Sequence, residues 1–138
     1  MTRPDITALI VEDSVQTRQL IHMALNSAGI TKVVEAENGE AAIAAIKASQ
    51  ANIAIMDWQM DVMDGLECTR RIRSGVQGID QHLPIILLTG NAGPSAEAAA
   101  YSAGVDLFME KPFSIKSLHE GVLKVLGYQA SSEASPSL

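Results

Sequence analysis

The sequence has one cysteine, Cys68, so no intrachain disulfide can form and no cysteine-rich metal site is available. Basic residues are scarce. Ten Lys and Arg stand against sixteen Asp and Glu, leaving a formal charge of −6. Such a chain lacks the positive face that nucleic acid or an anionic membrane surface demands. The one basic cluster, Arg70-Arg71 with Arg73, is small and reads as the solvated face of a helix. No apolar stretch nears the roughly 20 residues of a transmembrane helix. The apolar run in the opening MTRPDITALIVED is too short for a signal peptide and soon meets charges. The cytoplasm is the expected compartment.

What is present fits one globular domain. The chain has 138 residues, 47% hydrophobic and 19% charged, and a core of that size buries roughly two thirds of the unfolded surface without staples. Five β-like runs stand out: ITALIV (6–11), KVVEA (32–36), NIAIM (52–56), LPIILL (83–88) and VDLFM (105–109). All but KVVEA are nearly continuous in apolar residues, as strands covered on both faces are. Helical spacing fills the intervals 14–28, 39–49, 64–74, 94–103 and 114–126. In the first, Leu20, Ile21, Ala24, Leu25 and Ala28 are expected to face inward; Asp64 and Ser114 are expected to cap the third and fifth. Strand and helix alternating five times predicts an α/β fold, a doubly wound (βα)5 three-layer sandwich of the flavodoxin-like kind with sheet order 2-1-3-4-5. Residues 1–127 form the expected domain, and 128–138, YQASSEASPSL, read as a flexible tail.

The strand ends carry the chemistry. The first run ends in Glu12-Asp13, the third in Asp57, the fourth in Thr89 and the fifth in Glu110-Lys111. In an open parallel sheet, ligands bind beyond the carboxyl ends of the strands where the strand order reverses. Taken singly, each residue has an ordinary explanation: Glu12-Asp13 an N-cap region, Asp57 a turn, Thr89 a loop, Lys111-Pro112 a strand end. Together they would share one crevice, and crowded carboxylates repel unless cations sit among them. Lys111 offers one charge and a hard divalent ion such as Mg²⁺ two more. Acids, metal, lysine and hydroxyl together suit phosphoryl transfer, with an aspartate as nucleophile forming an acyl phosphate.

Four stretches, LIVEDS, MDWQMDVMDGLE, IILLTGNA and AGVDLFMEKPF, stand in order, and over residues 5–127 the chain resembles the receiver domain of two-component response regulators, especially the stand-alone, chemotaxis-type members. The resemblance implies that Asp57 accepts a phosphoryl group from a histidine kinase or a phosphotransfer protein. Glu12 and Asp13 match the acidic pair that holds Mg²⁺ with Asp57, and the backbone carbonyl of Gln59 is a further expected ligand. Lys111 matches the lysine that pairs with phosphoryl oxygens, and its bond to Pro112 is expected to be cis. Thr89 matches the switch hydroxyl and Phe108 the aromatic switch that turns inward when Thr89 moves. Gln59 and Asn91 match positions that set phosphoryl lifetime; both are uncharged amides, implying seconds to minutes.

Output is expected through the surface of 94–104, Phe108 and 114–126 (helix 4, strand 5, helix 5), toward a flagellar motor protein, a histidine kinase, a phosphotransfer domain or another regulator. A monomer is implied, with phosphorylation-driven dimerisation the alternative. Some positions depart from the pattern: Asp61 stands where proline is usual, Phe108 lacks the common hydroxyl, and 74–82 is a long connection. His22, His82 and His119 lie away from the strand ends. Met60 and Met63 read as packing residues, Cys68 as a small buried hydrophobe, and Trp58 as part surface. A Mg²⁺-dependent phosphatase is the competing reading, but such enzymes place a second acid two residues after the nucleophile, where this chain has Gln59. A flavodoxin-like cofactor binder needs a glycine-bearing phosphate loop after the first strand, and VEDSVQ offers acids instead.

Overall fold

The computed structural model describes residues 3, 5–60, 63–90 and 93–127. Its strands are β1 (Thr7–Val11), β2 (Lys32–Ala36), β3 (Ile53–Asp57), β4 (Ile85–Thr89) and β5 (Leu107–Glu110). The helices between and after them are α1 (Val15–Ser27), α2 (Gly39–Ser49), α3 (Gly65–Ser74), α4 (Pro94–Ala103) and α5 (Ile115–Val125). All the strands run parallel in the order β2-β1-β3-β4-β5, the expected doubly wound topology.

Strand alternation sorts the core into two layers. Ala8, Ile10, Ile53, Ile55, Ile86 and Leu88 pack with Ile21, Leu25, Leu118 and Val122 of α1 and α5. The alternate residues Leu9, Val11, Ala54, Met56, Ile85 and Leu87 pack with residues of α2, α3 and α4. Burial on both faces is why these runs are apolar without interruption. β2 is the exception because it is an edge: Lys32 and Glu35 are exposed and Val33 and Val34 only half-buried.

Leu20 departs from expectation. It is 38% exposed, while Ile21, Ala24, Leu25 and Ala28 form the buried stripe. The stripe obeys i, i+3, i+4, i+7 from Ile21, and Leu20 sits one step, about 100°, off it. Asp64 caps α3 by accepting from the Glu67 N–H (2.8 Å), and Ser114 and Ser117 form a reciprocal capping box on α5.

The arginine cluster is corrected in one member. Arg70 and Arg71 are exposed, Arg71 pairing with Glu67 at 3.2 Å. Arg73 is half-buried and donates to Gly104 O (2.8 Å), Gln81 O (2.8 Å) and Asp106 Oδ2 (2.9 Å). Asp106 Oδ2 also accepts from the Ile85 N–H, closing the entrance of β4. Gly104 fits this clamp because its φ is +106° and a Cβ there would lie 2.8 Å from Arg73 Cγ. Arg73→Met is expected to cost about 2 kcal/mol, the sum of a few ordinary bonds, read as a lower urea midpoint with unchanged slope. The long connection after α3 makes two turns that return Ile79 and Leu83 to the core, and Gly78 O accepts from Gln50 Nε2 at 3.4 Å. The proposed tail, 128–138, lies outside the described residues, as do Asp61 and Asn91.

Candidate functional site

Alternation carries the charged residues at the strand ends out of the sheet on one side. Glu12 continues the parity of Ala8 and Ile10, Asp57 that of Ile53 and Ile55, and Lys111 that of Leu107 and Met109. The three meet. Lys111 Nζ lies 3.2 Å from Glu12 Oε1 and 3.3 Å from Asp57 Oδ1. Asp13 joins them: one carboxylate oxygen each of Glu12, Asp13 and Asp57 lie within 4.8 Å of one another. Glu12 is 1% exposed and Asp57 7%, whereas Asp13 faces solvent.

Local geometry fixes these groups. Glu12 Oε2 accepts from the Ser14 N–H (3.0 Å) at the start of α1, and Arg18 from α1 donates to Glu12 O (3.2 Å). The Gln59 N–H lies 3.4 Å from Asp57 Oδ1. Gly65 N–H donates to Trp58 O (2.9 Å), and a Cβ on Gly65 would come within 2.5 Å of Asp57 O, so α3 can begin this close to β3 only with glycine there. Gly65 lies inside the quoted MDWQMDVMDGLE stretch, yet nothing in its spacing shows that requirement.

Electrostatics leave the pocket with an excess of negative charge. Burial pushes the Glu12 carboxyl above its usual value of 4.5; the Ser14 N–H opposes that, the Asp57 charge adds to it and Lys111 lowers it. One ammonium serves three carboxylates. An open hollow of about 350 Å³ beside them is lined by Asp13, Gln59, Met60 and Asp64. An all-oxygen donor set with one solvent-facing carboxylate and room for waters fits Mg²⁺ in chemistry and in shape.

Thr89 and Phe108 belong to the other layer. Thr89 follows Ile85 and Leu87 in parity and is fully buried, and Phe108 is 8% exposed within the α2-α3-α4 cluster. Trp58, half-buried, meets the Phe108 ring edge-on at 6.5 Å. Asp57 and Trp58, adjacent in the chain, therefore set the acid pocket on one face of the sheet beside the Trp58–Phe108 contact on the other. Thr89 O accepts from the Lys111 N–H at 2.7 Å, tying β4 to the start of the β5–α5 loop, and the Lys111–Pro112 peptide is cis.

Of the remaining candidates, Met60 lines the hollow beside the acids, and His22, His119 and Cys68 pack elsewhere. His22 on α1 pairs with Glu35 on β2 (2.6 Å), and His119 on α5 pairs with Ser27 on α1 (2.6 Å). Met63 is buried and Met60 half-buried. Cys68 is buried, its thiol pushed up to about 11, with desolvation the main cause. Among the described residues no helix is long and apolar enough to cross a membrane.

Comparison with known proteins agrees with this geometry. Residues 8–123 match the family described as response regulator receiver domain. A two-component response regulator of Oryza sativa subsp. japonica, ORR41, is 40% identical over 121 residues, covering 86% of this chain and 92% of its own. The chemotaxis protein CheY1 of Helicobacter pylori is 34% identical over 120 residues, covering 86% and 95%. Among solved structures, chemotaxis protein CheY4 of Vibrio cholerae superposes with TM-score 0.77 at 28% identity, covering 87% of this chain and 98% of that one. The receiver domain of a sensor histidine kinase from Pseudomonas aeruginosa, solved with a magnesium ion coordinated in its active site cleft, superposes with TM-score 0.76 at 29% identity, covering 88% and 98%. The chain belongs to the response regulator receiver domain family, and CheY-type chemotaxis regulators are among its relatives.

Proposed function

We propose that this protein is a phosphorylation-controlled switch in which Asp57 takes a phosphoryl group from the phosphohistidine of a histidine kinase or phosphotransfer protein. The observation that carries this is Lys111 Nζ held between Glu12 and Asp57, at 3.2 and 3.3 Å, where the carboxyl ends of β1, β3 and β5 bring a buried acid pair together. In the transfer, an Asp57 carboxylate oxygen forms the new bond to phosphorus as the bond to the imidazole nitrogen breaks, and that nitrogen keeps the electron pair. Lys111 sits to pair with phosphoryl oxygens that arrive at Asp57. Glu12, Asp13 and Asp57, with the Gln59 carbonyl, would hold Mg²⁺. When bound, the ion neutralises phosphoryl charge that carboxylates alone would repel.

Thr89 and Phe108 read the event, Thr89 by bonding the phosphoryl group and Phe108 by its packing. The face formed by α4, β5 and α5 then engages the partner, a kinase or a downstream target. The protein works in the cytoplasm as a monomer that phosphorylation can pair. The test is acetyl phosphate with Mg²⁺, followed by intact mass. One phosphoryl group on Asp57 per chain is expected in samples acid-quenched while donor is present, with donor consumed no faster than that adduct decays; catalytic turnover of an unrelated phosphomonoester such as p-nitrophenyl phosphate would favour the phosphatase alternative. Gln59 and Asn91 are uncharged, so neither can act as a strong base toward attacking water. The phosphorylated form is expected to decay in seconds to minutes, measured as phosphate release after donor removal; a half-life of many hours contradicts that assignment.

A further inference from the structure

α4 is held to the sheet by very little. Its buried residues are Ala100 and Ala103, with Ala96 partly buried beside them, and its N-cap Gly93 offers no side-chain bond. Alanines bury little apolar surface, so this helix gains less from packing than its neighbours do. Its C-terminal end is pinned, since Gly104 O accepts from Arg73. Its one aromatic side chain is Tyr101, 44% exposed.

That side chain has a specific partner. β5 is an edge strand, and the Phe108 N–H, which needs an acceptor, donates to Tyr101 Oη at 3.1 Å. The amide belongs to the residue whose ring packs against Trp58. Phe108 has no hydroxyl of its own, so a polar contact that fixes this position has to come from elsewhere.

We propose that Tyr101 is a positioning residue that latches α4 to β5 through the Phe108 amide, and so sets the fraction of molecules in which Phe108 packs inward on Trp58. With α4 anchored at Gly104 and otherwise lightly packed, loss of the latch frees the rest of the helix to lift from the strand. Cover over Phe108 is then lost, and its ring leaves Trp58. This rests on the proposed switch role of Phe108. With the inward state as the one that takes the phosphoryl group, the rate of uptake scales with the fraction of molecules in that state, so emptying it slows phosphorylation.

The test is Tyr101→Phe, which keeps the half-exposed ring and removes one oxygen. The fold is expected to melt near the wild-type temperature. Trp58 is the only tryptophan, so its emission reports the Phe108 contact directly. In the unphosphorylated variant, emission is expected to shift to longer wavelength, and Phe108 amide exchange to quicken by about threefold to tenfold, the range for one neutral hydrogen bond. Phosphorylation of Asp57 by acetyl phosphate with Mg²⁺ is expected to slow by a similar factor. Unchanged Trp58 emission overturns the latch, even with faster Phe108 exchange, since Tyr101 would then be a cap alone. A shifted emission with an unchanged phosphorylation rate overturns it as well. If the wild type takes no phosphoryl group on Asp57, the functional reading fails instead, and Trp58 emission by itself decides the latch.

Discussion

Replacing Asp57 with asparagine is expected to abolish phosphoryl uptake and, at the same time, to make the metal-free protein more stable. A carboxamide oxygen is too weak a nucleophile for phosphorus, so no adduct should form with acetyl phosphate or a phosphorylated kinase. The shape is conserved, and the amide oxygen can still accept from Lys111 Nζ and the Gln59 N–H, which lie 3.3 and 3.4 Å from Asp57 Oδ1. What disappears is a negative charge in a pocket that holds one ammonium for the carboxylates of Glu12, Asp13 and Asp57. The Asp57 charge is one of the influences raising the Glu12 proton affinity, so its removal eases a buried carboxylate too. A gain of about 1–2 kcal/mol at neutral pH is reasonable for relieving such a like-charge contact at a functional site, read from urea unfolding without divalent ions. Added Mg²⁺ should narrow the difference, because it binds and stabilises the wild-type pocket more strongly. If the variant still acquired a phosphoryl group at the wild-type rate, the nucleophile would have to be another residue.

The sequence carried the sheet and the pocket because both follow from short-range pattern. Runs such as IAIM (53–56) and IILL (85–88) are apolar at every position, since each residue faces one of two buried layers. A charge directly after such a run marks where the strand leaves the core, and parity then assigns Glu12, Asp57 and Lys111 to one side. Long-range choices were not legible in that way. Arg73 looks like its neighbours Arg70 and Arg71, and only the fold shows that Gly104 O and Asp106 come within its reach. Tyr101 seemed one residue of an alanine-rich helix, while the open amide it serves exists only because β5 is an edge. Leu20 failed for a different reason: an apolar side chain next to a stripe cannot be told from a member of it without the helix phase, which Ile21 sets. Residues placed by contacts distant in the chain were misread or missed; those placed by strand parity were found where expected.

Lys111→Met should cost stability where Asp57→Asn adds it, and the cost should depend on pH. Methionine matches the aliphatic stem but leaves Glu12, 1% exposed, with the Ser14 N–H as its remaining partner in this pocket. Removing one partner of a fully buried ion pair costs about 3–5 kcal/mol. Here the Lys111 side chain is 26% exposed and water can reach the vacated end, so about 2 kcal/mol is expected at neutral pH. Glu12 holds its proton more tightly in the folded protein than its usual 4.5 would give, burial outweighing the influences of Ser14 and Lys111. The stability associated with that carboxyl is therefore fully present below pH 4.5 and is lost as pH rises through the higher folded value. Deleting Lys111 removes an influence that lowers the folded value, so the loss grows and continues to higher pH. The deficit of the variant should then be greatest at neutral pH and shrink as acid protonates Glu12. Urea unfolding of wild type, Lys111→Met and Lys111→Met with Glu12→Gln across this range separates the causes. The double variant should show a small, nearly flat deficit; a deficit that is the same at every pH in the single variant would mean that Lys111 stabilises the fold by packing its stem, and that its charge is held for the phosphoryl group alone.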